Sequence, residues 1–264
     1  MPLPIYQVDA FTDTLFKGNY AAVVPLPQWL PDELMQAIAA ENNLSETAFV
    51  VAQSAGRYSI RWFSPLSEID FCGHATLASA FILFRLHPEL TQLTFNAAAV
   101  GDLVVTQDAS ARINMRFPRL DPQPVIEAPA ALLAGLSLPP QQVLVNRQAW
   151  FAVYADEQSV LQVEQDPEQL KQLAPRDVVV TAPGRQSDCV SRYFWPANGG
   201  LEDMVTGSIH AGLAPYWADR LGKRELLAVQ ASSRGGRLDC MVAPDHVQIS
   251  GHAVLYLEGQ IHLP

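Results

Sequence analysis

The fold is decided by the stretch from Phe63 to His74, FSPLSEIDFCGH, because a similar stretch runs from Phe194 to Ser208, FWPANGGLEDMVTGS. In each stretch an aromatic residue and a proline precede acidic residues and a glycine, and an apolar helical pattern follows. Similarity between two parts of one chain, in the same order, indicates an internal duplication. Three matched pairs lie 134 positions apart: Glu68 and Glu202, Gly73 and Gly207, Gly101 and Gly235.

The rest of the chain also alternates between strand and helix patterns in both halves. Runs rich in β-branched and aromatic residues predict strands, and longer apolar-periodic runs predict helices over 31–42, 73–86 and 207–221. Prolines between Pro118 and Pro129 interrupt the pattern, and we interpret this segment as a linker. The predicted domains are 1–118 plus 253–264, and 119–252, with a ligand site expected between them.

Composition restricts the classes of partner. The 264 residues carry 17 basic and 27 acidic side chains, a formal net charge of −10 at pH 7. Nucleic acids and anionic membranes are bound by clustered Lys and Arg, so we expect neither partner. No apolar stretch reaches the roughly 20 residues of a membrane helix, and no basic residue precedes Lys17 as in a signal peptide. Three cysteines are too few for a disulfide framework, so we expect a cytoplasmic protein.

Candidate chemistry lies at the two matched helix starts. A glycine at each start, Gly73 and Gly207, lets a ligand approach free backbone N–H groups, and the helix dipole favours an anion there. Two such starts could hold a carboxylate without an excess of Lys or Arg. The alternative interpretation is that Asp203, Thr206 and Ser208 only cap the second helix, as such residues commonly do.

Two titratable side chains are candidates for proton transfer. Glu46 stands immediately before an apolar strand pattern, residues 47–52, and partial desolvation of a carboxylate there favours an acid/base role. The alternative is a solvated glutamate at a strand end, because acidic side chains are mostly exposed. His74 has three possible chemical roles, as a base, a proton donor or a carboxylate ligand, and its alternative is a structural histidine.

Five motifs run along nearly the whole chain: Val8 to Thr12 with Gly18-Asn19, Ser45 to Phe49, Cys72 to Thr76, Glu202-Asp203 with Thr206 to Ser208, and Gln230 to Ser232 before Arg234. In this order they resemble the phenazine-biosynthesis isomerase (PhzF-like) family and, more distantly, the diaminopimelate epimerase superfold. The resemblance implies an α+β fold of two pseudo-symmetric domains, each a β-sheet rolled as a barrel around a central α-helix. It also implies an active site in the cleft between the domains, an isomerase without cofactor or metal, and commonly a homodimer.

The resemblance also implies roles for single residues, position by position along the motifs. The family's acid/base glutamate falls on Glu46, and its substrate-contacting histidine and aspartate fall on His74 and Asp203. The substrate-binding positions that it implies are Ser45, Gly73, Gly207 and Ser208.

The residue types at the helix starts distinguish between reactions. Related epimerases use a cysteine at each start, but this chain has Cys72 and Thr206, and a threonine hydroxyl is too weak an acid for the second base of a racemase. One carboxylate can still move a proton between two carbons of a conjugated system, as this family does with a dihydro-hydroxyanthranilate. Three hypotheses follow: a cofactor-independent isomerase of a small unsaturated cyclic amino or hydroxy carboxylic acid, a lyase or dehydratase on the same scaffold, and a non-catalytic binder of small carboxylates.

Overall fold

The computed structural model describes residues 2–263 and divides the chain into two compact units. The first unit extends to Arg116 and resumes at Ser250, and the second comprises Phe117–Ile249. The predicted first domain also included Met1 and Pro264, which lie outside the described residues.

The secondary structure is a mixture of strands and helices in chain order. The elements up to the middle of the chain are β1 (Leu3–Ala10), β2 (Asn19–Leu26), α1 (Asp32–Asn42), β3 (Glu46–Ser54), β4 (Arg57–Phe63), β5 (Glu68–Ile69), α2 (Gly73–Leu86), β6 (Gln92–Ala97), β7 (Gly101–Gln107) and β8 (Ile113–Pro118). Those that follow are β9 (Gln123–Pro124), α3 (Ala130–Ala134), β10 (Gln142–Val145), β11 (Ala149–Val153), α4 (Glu157–Gln162), α5 (Pro167–Leu170), β12 (Asp177–Pro183), β13 (Cys189–Phe194), β14 (Glu202–Asp203), α6 (His210–Leu221), β15 (Glu225–Gln230), β16 (Gly236–Val242), β17 (His246–Gly251) and β18 (Ala253–Ile261), with short 3-10 helices at Lys171–Leu173 and Pro196–Asn198.

The strands of the two units pair in the same sequence of directions. In the first unit β1–β2 is antiparallel, β2–β3 parallel, β3–β4 antiparallel, β4–β6 parallel and β6–β7 antiparallel. In the second unit β10–β11, β11–β12, β12–β13, β13–β15 and β15–β16 repeat that series. The short strands β5 and β14 attach to β4 and β13 in the same way. The predicted pseudo-symmetric α+β fold is confirmed. The C-terminal strand β18 pairs antiparallel with β1.

Helix α2 is the central helix of the first unit. Its sequence is apolar on all sides, and 11 of its 14 residues are buried, as expected for a helix enclosed by other elements. It packs against β1, β2, β3 and β18. Its bounds, Gly73–Leu86, are those that the sequence predicts, because the apolar pattern begins after Cys72 and Pro88 prevents continuation.

The second matched helix begins later than predicted. The prediction of a helix from Gly207 is wrong, since α6 starts at His210 and ends at Leu221. Residues 207–209 form a tight turn in which His210 N–H donates to Gly207 C=O at 3.1 Å and Ala211 N–H to Ser208 C=O at 3.1 Å. These bonds span three residues, so the chain enters α6 through a 3-10-like turn.

The two halves are not related by one constant offset. The matched glycines Gly73 and Gly207 are 134 residues apart, but the strand ends Phe63 and Phe194 are 131 apart. The three additional residues lie in the loop after β13, where the 3-10 helix Pro196–Asn198 forms. An insertion in a loop leaves the elements on both sides in place, so the strand pairing is preserved.

The proline-rich segment is more ordered than a linker. Gln123 and Pro124 form β9, which pairs with β10, and Pro129 directly precedes α3 as its N-cap residue. Proline is tolerated at both positions, because the backbone N–H that it lacks is not needed for hydrogen bonding at a sheet edge or at a helix start. The predicted linker therefore contributes secondary structure to the second unit.

Each unit contains its own apolar core. Val24, Met35 and Phe49 are fully buried in a core cluster of the first unit. In the second unit Leu132 of α3 and Phe194 of β13 are fully buried in a second core cluster. No helix within residues 2–263 is long and apolar enough to span a membrane.

Candidate active site

Glu46 and His74 form a buried pair in the first unit. Glu46 is the first residue of β3, His74 is the second residue of α2, and Glu46 Oε2 lies 2.8 Å from His74 Nε2. The Glu46 side chain is only 14% exposed, so the alternative of a solvated glutamate is wrong. Within residues 2–263, Oε2 has this close ionic contact but no aligned hydrogen-bond donor, so it keeps acceptor capacity for another group.

Asn19 and Ser45 determine how the His74 ring is held. Ser45 Oγ donates to Asn19 Oδ1 at 3.2 Å, which leaves the amide nitrogen facing the ring, and Asn19 Nδ2 lies 3.2 Å from His74 Nδ1. In the neutral ring Nδ1 therefore accepts from Asn19, and the proton is on Nε2, the nitrogen nearest Glu46. A second proton would sit on Nδ1, 3.4 Å from Cys72 Sγ. In both charge states Nε2, the ring nitrogen nearest Glu46, carries a proton.

Electrostatics separate the roles of His74 and Cys72. Burial alone lowers the pKa of His74, but charge interactions and hydrogen bonds with Cys72 and Glu46 outweigh it, so the pKa lies well above its usual value. Burial, aided by the Glu46 charge, raises the pKa of the Cys72 thiol to about 11. The thiol is therefore neutral at pH 7. Cys72 is not poised as a thiolate base.

The start of α2 offers backbone donors beside this pair. Cys72 is the N-cap residue and its side chain makes no capping hydrogen bond, and the first turn contains no acidic residue. Gly73 is buried and has no side chain to cover the helix end. The first-turn N–H groups and the positive end of the helix dipole are thus suited to an anionic group near His74.

In the second unit a glutamine joins the residues around Asp203. Gln230 is fully buried; its Oε1 accepts from Thr206 N–H at 2.8 Å, and its Nε2 donates to Asp203 C=O at 2.9 Å. Thr206 Oγ1 donates to the Asp203 carboxylate. The hydroxyl in the place of a second catalytic cysteine is therefore occupied by an internal hydrogen bond.

The capping interpretation of this segment is wrong. The N-cap residue of α6 is Ile209, and no side chain caps the helix. Ser208 Oγ instead accepts a hydrogen bond from Gln148 Nε2 at 2.9 Å. Gly207 lies buried in the turn between Thr206 and Ser208. Asp203, Gly207 and Ser208 thus belong to a segment held by long-range contacts, whereas Ser45, Glu46, Gly73 and His74 meet in the first unit.

His210 supports the same segment as a neutral side chain. Its Nδ1 donates to Thr206 C=O at 3.0 Å, and its Nε2 is buried without a hydrogen-bond partner in the described part of the chain. Burial lowers the pKa of His210 to about 4, although hydrogen bonds at Thr206 and Gly207 act in the opposite direction. The imidazolium form is therefore strongly disfavoured in the folded protein.

This histidine should make the protein sensitive to acid. The pKa is about 4 when folded and about 6.5 when unfolded, so the contribution is complete above pH 6.5 and is lost as the pH falls towards 4. We expect a loss on the order of 3 kcal/mol in the free energy of unfolding, from about 1.4 kcal/mol per pKa unit. Urea unfolding at pH 7, 5 and 4 should show a weaker pH dependence for His210→Gln, and no such change for the exposed His262→Gln. Equal pH dependence of the wild type and His210→Gln would contradict this assignment.

One group of side chains has the composition of a metal site. Single ligand atoms of Glu46, Cys72 and His74 all lie within 4.8 Å of one another. Carboxylate, thiolate and imidazole are ligands that Zn²⁺ accepts, so these residues could hold such an ion. The sequence predicts no metal here.

Several residues of the two clusters had no role assigned from sequence. Asn19 and Gln230 belong to two of the five sequence motifs, as Gly18-Asn19 and Gln230-Ala231-Ser232. Membership of a motif is therefore the sequence feature that points to these two residues. Gln148 has no comparable signal, because its partner Ser208 is 60 residues away along the chain. Contacts between distant segments depend on the sheet register rather than on any local pattern.

Comparison with known proteins adds independent findings. The family model described as phenazine biosynthesis-like protein (PhzC-PhzF) matches residues 8–259. An uncharacterized isomerase of Pseudomonas aeruginosa is 47% identical over 263 residues, and the alignment covers 100% of both chains. A crystal structure of a PhzF-family protein from Enterococcus faecalis has a TM-score of 0.94, 43% identity and 100% coverage of both chains. A hydroxyproline epimerase from Agrobacterium vitis, 12% identical, covers 98% of this chain and 92% of its own with a TM-score of 0.60, a likeness of fold alone.

Proposed function

Because the chain belongs to the phenazine biosynthesis-like (PhzF) family and is an isomerase by that membership, we propose that it shifts a proton within a small unsaturated cyclic amino or hydroxy carboxylic acid. Glu46 is the general acid and base. His74 and Asp203 contact the substrate, and the remaining substrate-binding residues are Ser45, Gly73, Gly207 and Ser208.

The observation that carries this proposal is the Glu46–His74 pair. One oxygen of the Glu46 carboxylate is buried 2.8 Å from His74 Nε2 and has no aligned hydrogen-bond donor among residues 2–263, so it retains its acceptor capacity. Glu46 removes a proton from a saturated ring carbon, and the bonding electrons pass into the conjugated system. The protonated Glu46 then delivers a proton to another carbon of that system, either the one removed or one exchanged with solvent. Reactant and product have the same atoms, so the reaction needs no external redox partner.

The developing negative charge needs stabilisation during this transfer. The imidazole of His74 offers the proton on Nε2 as a hydrogen-bond donor, and its pKa, raised by Cys72 and Glu46 against the effect of burial, favours the charged form. The uncapped N–H groups at the start of α2, beginning with Gly73, provide preorganised dipoles for an anionic oxygen. Such groups supply charge stabilisation without Lys or Arg, which agrees with the net charge of −10.

The experiment that tests the proposed isomerase activity measures proton transfer on candidate substrates. Candidate cyclic amino and hydroxy acids, including a dihydro-hydroxyanthranilate, are incubated with the protein in D2O and followed by NMR. We expect deuterium at the carbon that receives the proton, or migration of the proton from one carbon to another, together with a shifted double bond and no loss of water. Release of water would indicate a dehydratase instead, and binding without any exchange would indicate a non-catalytic binder.

We also propose that the protein acts as a homodimer in the cytoplasm, on a small-molecule carboxylate and without a nucleic-acid or membrane partner. The family resemblance supports the dimer, and the acidic balance of 27 acidic to 17 basic residues supports the absence of polyanionic partners. Sedimentation equilibrium at micromolar concentration distinguishes a dimer from the 28.9 kDa monomer.

A further inference from the structure

The second unit places a carboxylate at the position that Glu46 occupies in the first. Glu46 pairs with Ala21 where parallel strands β2 and β3 begin their register, and Asp177 pairs with Ala149 in the equivalent strands β11 and β12. Both residues open their strand. Asp177 therefore matches Glu46 by strand register, although their sequence offset is 131 rather than 134 residues.

The three-residue insertion of the second half supplies a partner for Asp177. Asn198, at the end of the inserted 3-10 helix, donates from Nδ2 to Asp177 Oδ1 at 2.7 Å. Tyr193 Oη donates to Asp177 Oδ2 at 2.7 Å. Both carboxylate oxygens thus accept a hydrogen bond. Burial raises the pKa of Asp177, and these two hydrogen bonds oppose that shift and favour the charged form.

A second hydrogen bond connects Tyr193 to Gln148. The tyrosine proton is given to Asp177, so Tyr193 Oη accepts from Gln148 Nε2 at 3.3 Å. The same nitrogen donates its second proton to Ser208 Oγ at 2.9 Å. Both amide protons of Gln148 are used, and the charge on Asp177 determines which end of the amide faces the tyrosine.

The backbone of Gln148 is fixed as firmly as its side chain. Its N–H donates to Asn146 Oδ1 at 2.8 Å, and its C=O accepts from Asp177 N–H at 3.2 Å. Asn146 is in turn held, because its Nδ2 donates to Leu120 C=O at 2.8 Å. A side chain with both ends held in this way has little freedom to reorient.

The chain of hydrogen bonds leaves one proton unused. Ser208 Oγ accepts from Gln148, so its own O–H is available to donate, and it donates no hydrogen bond to any group among residues 2–263. In the first unit the strand-start carboxylate contacts the residue after the helix-start glycine directly. In the second unit Tyr193 and Gln148 connect Asp177 to the equivalent residue, Ser208.

On the basis of the function proposed above, we propose that Gln148 is a positioning residue that keeps Ser208 Oγ as a hydrogen-bond donor for the carboxylate of the substrate. Asp177 and Tyr193 orient Gln148. Asp177, despite its match to Glu46, moves no proton of the substrate and acts through Ser208.

The test compares two ring compounds that differ in a carboxylate, 2-aminobenzoate and aniline, by isothermal titration calorimetry. Gln148→Met has a similar length but no N–H donor. We expect it to weaken 2-aminobenzoate binding about tenfold, the usual size of one hydrogen bond to a charged group, and to leave aniline binding unchanged. Ser208→Ala should have a similar effect. In the Ser208→Ala background Gln148→Met should have no further effect, because Gln148 acts only through Ser208.

Two further variants complete the design. Gln148→Glu preserves the shape of the side chain but accepts the Ser208 proton, so it should also weaken 2-aminobenzoate binding and serves if Gln148→Met does not fold. The exposed Gln172→Met is the matched control and should bind like the wild type.

The outcomes separate the two proposals. A wild-type protein that binds 2-aminobenzoate no better than aniline overturns the proposed class of substrate, and this inference with it. Carboxylate-dependent binding in which the effects of Gln148→Met and Ser208→Ala add overturns the inference alone. Equal losses for both compounds in Gln148→Met also overturn it, since they indicate a general structural role.

Discussion

Glu46→Gln is expected to reduce the rate of deuterium incorporation by about 10³-fold, within the range of roughly 10²–10⁴ for a general acid/base. The substitution preserves the shape of the side chain at the start of β3 but removes the carboxylate that accepts and returns the proton. His74 remains beside it and cannot replace it, because its Nε2 carries a proton in both charge states. Single-turnover NMR in D2O measures the effect.

A matched substitution and the stability of the variant make this result specific. Glu33→Gln changes an exposed glutamate of α1 and should leave the rate unchanged. The thermal unfolding midpoint of Glu46→Gln should show that the protein remains folded. Exchange at the wild-type rate in Glu46→Gln would refute the assignment of Glu46 as the acid/base.

Gly18→Ala is expected to lower the free energy of unfolding by about 2–5 kcal/mol, the sum of left-handed strain and a steric clash. Gly18 has a φ of +66°, and an added Cβ would lie 2.1 Å from the carbonyl oxygen of Ala10 and 2.8 Å from Thr12 Cγ2. The backbone must therefore move. The next residue is Asn19, whose amide holds the His74 ring, so activity should fall as well.

A second glycine separates strain from contact. Gly101 has a φ of +77°, but an added Cβ would meet nothing within 4 Å. Gly101→Ala should therefore cost only the conformational part, about 1–2 kcal/mol. Urea unfolding of both variants measures the difference. Equal destabilisation would mean that the contact with Ala10 contributes nothing.

Local sequence patterns are enough for features that depend on neighbours along the chain. The apolar run after Cys72 predicts α2 with its observed bounds, since an all-apolar helix is identified by its own composition. The position of Glu46 before an apolar strand predicts a partly desolvated carboxylate, and its side chain is only 14% exposed. The recurrence of the Phe63–His74 stretch predicts two similar halves, and the strand pairing confirms it.

Patterns failed where distant segments decide the geometry. The helix predicted from Gly207 begins at His210, because the side chains of Gln230, at the end of β15, and Gln148, in the turn before β11, hold residues 203–208. The capping interpretation failed for the same reason. Helix propensity and capping patterns depend only on residues close to the helix start. In this segment, hydrogen bonds from distant residues override them.

The sequence by itself determined the duplicated α+β fold, the family, and the residues Glu46 and His74 as candidates, because each of these is expressed in motifs or in the alternation of apolar and polar positions. Only the tertiary structure decided the proton on His74 Nε2, the neutral state of Cys72, and the chain from Asp177 through Gln148 to Ser208. The hydrogen bonds of that chain join residues 16 to 60 positions apart, and the two features of the first unit depend on burial and on the contacts of His74 with Asn19 and Glu46. Such contacts arise only when the strand register is set, and single residues then determine which donors and acceptors meet.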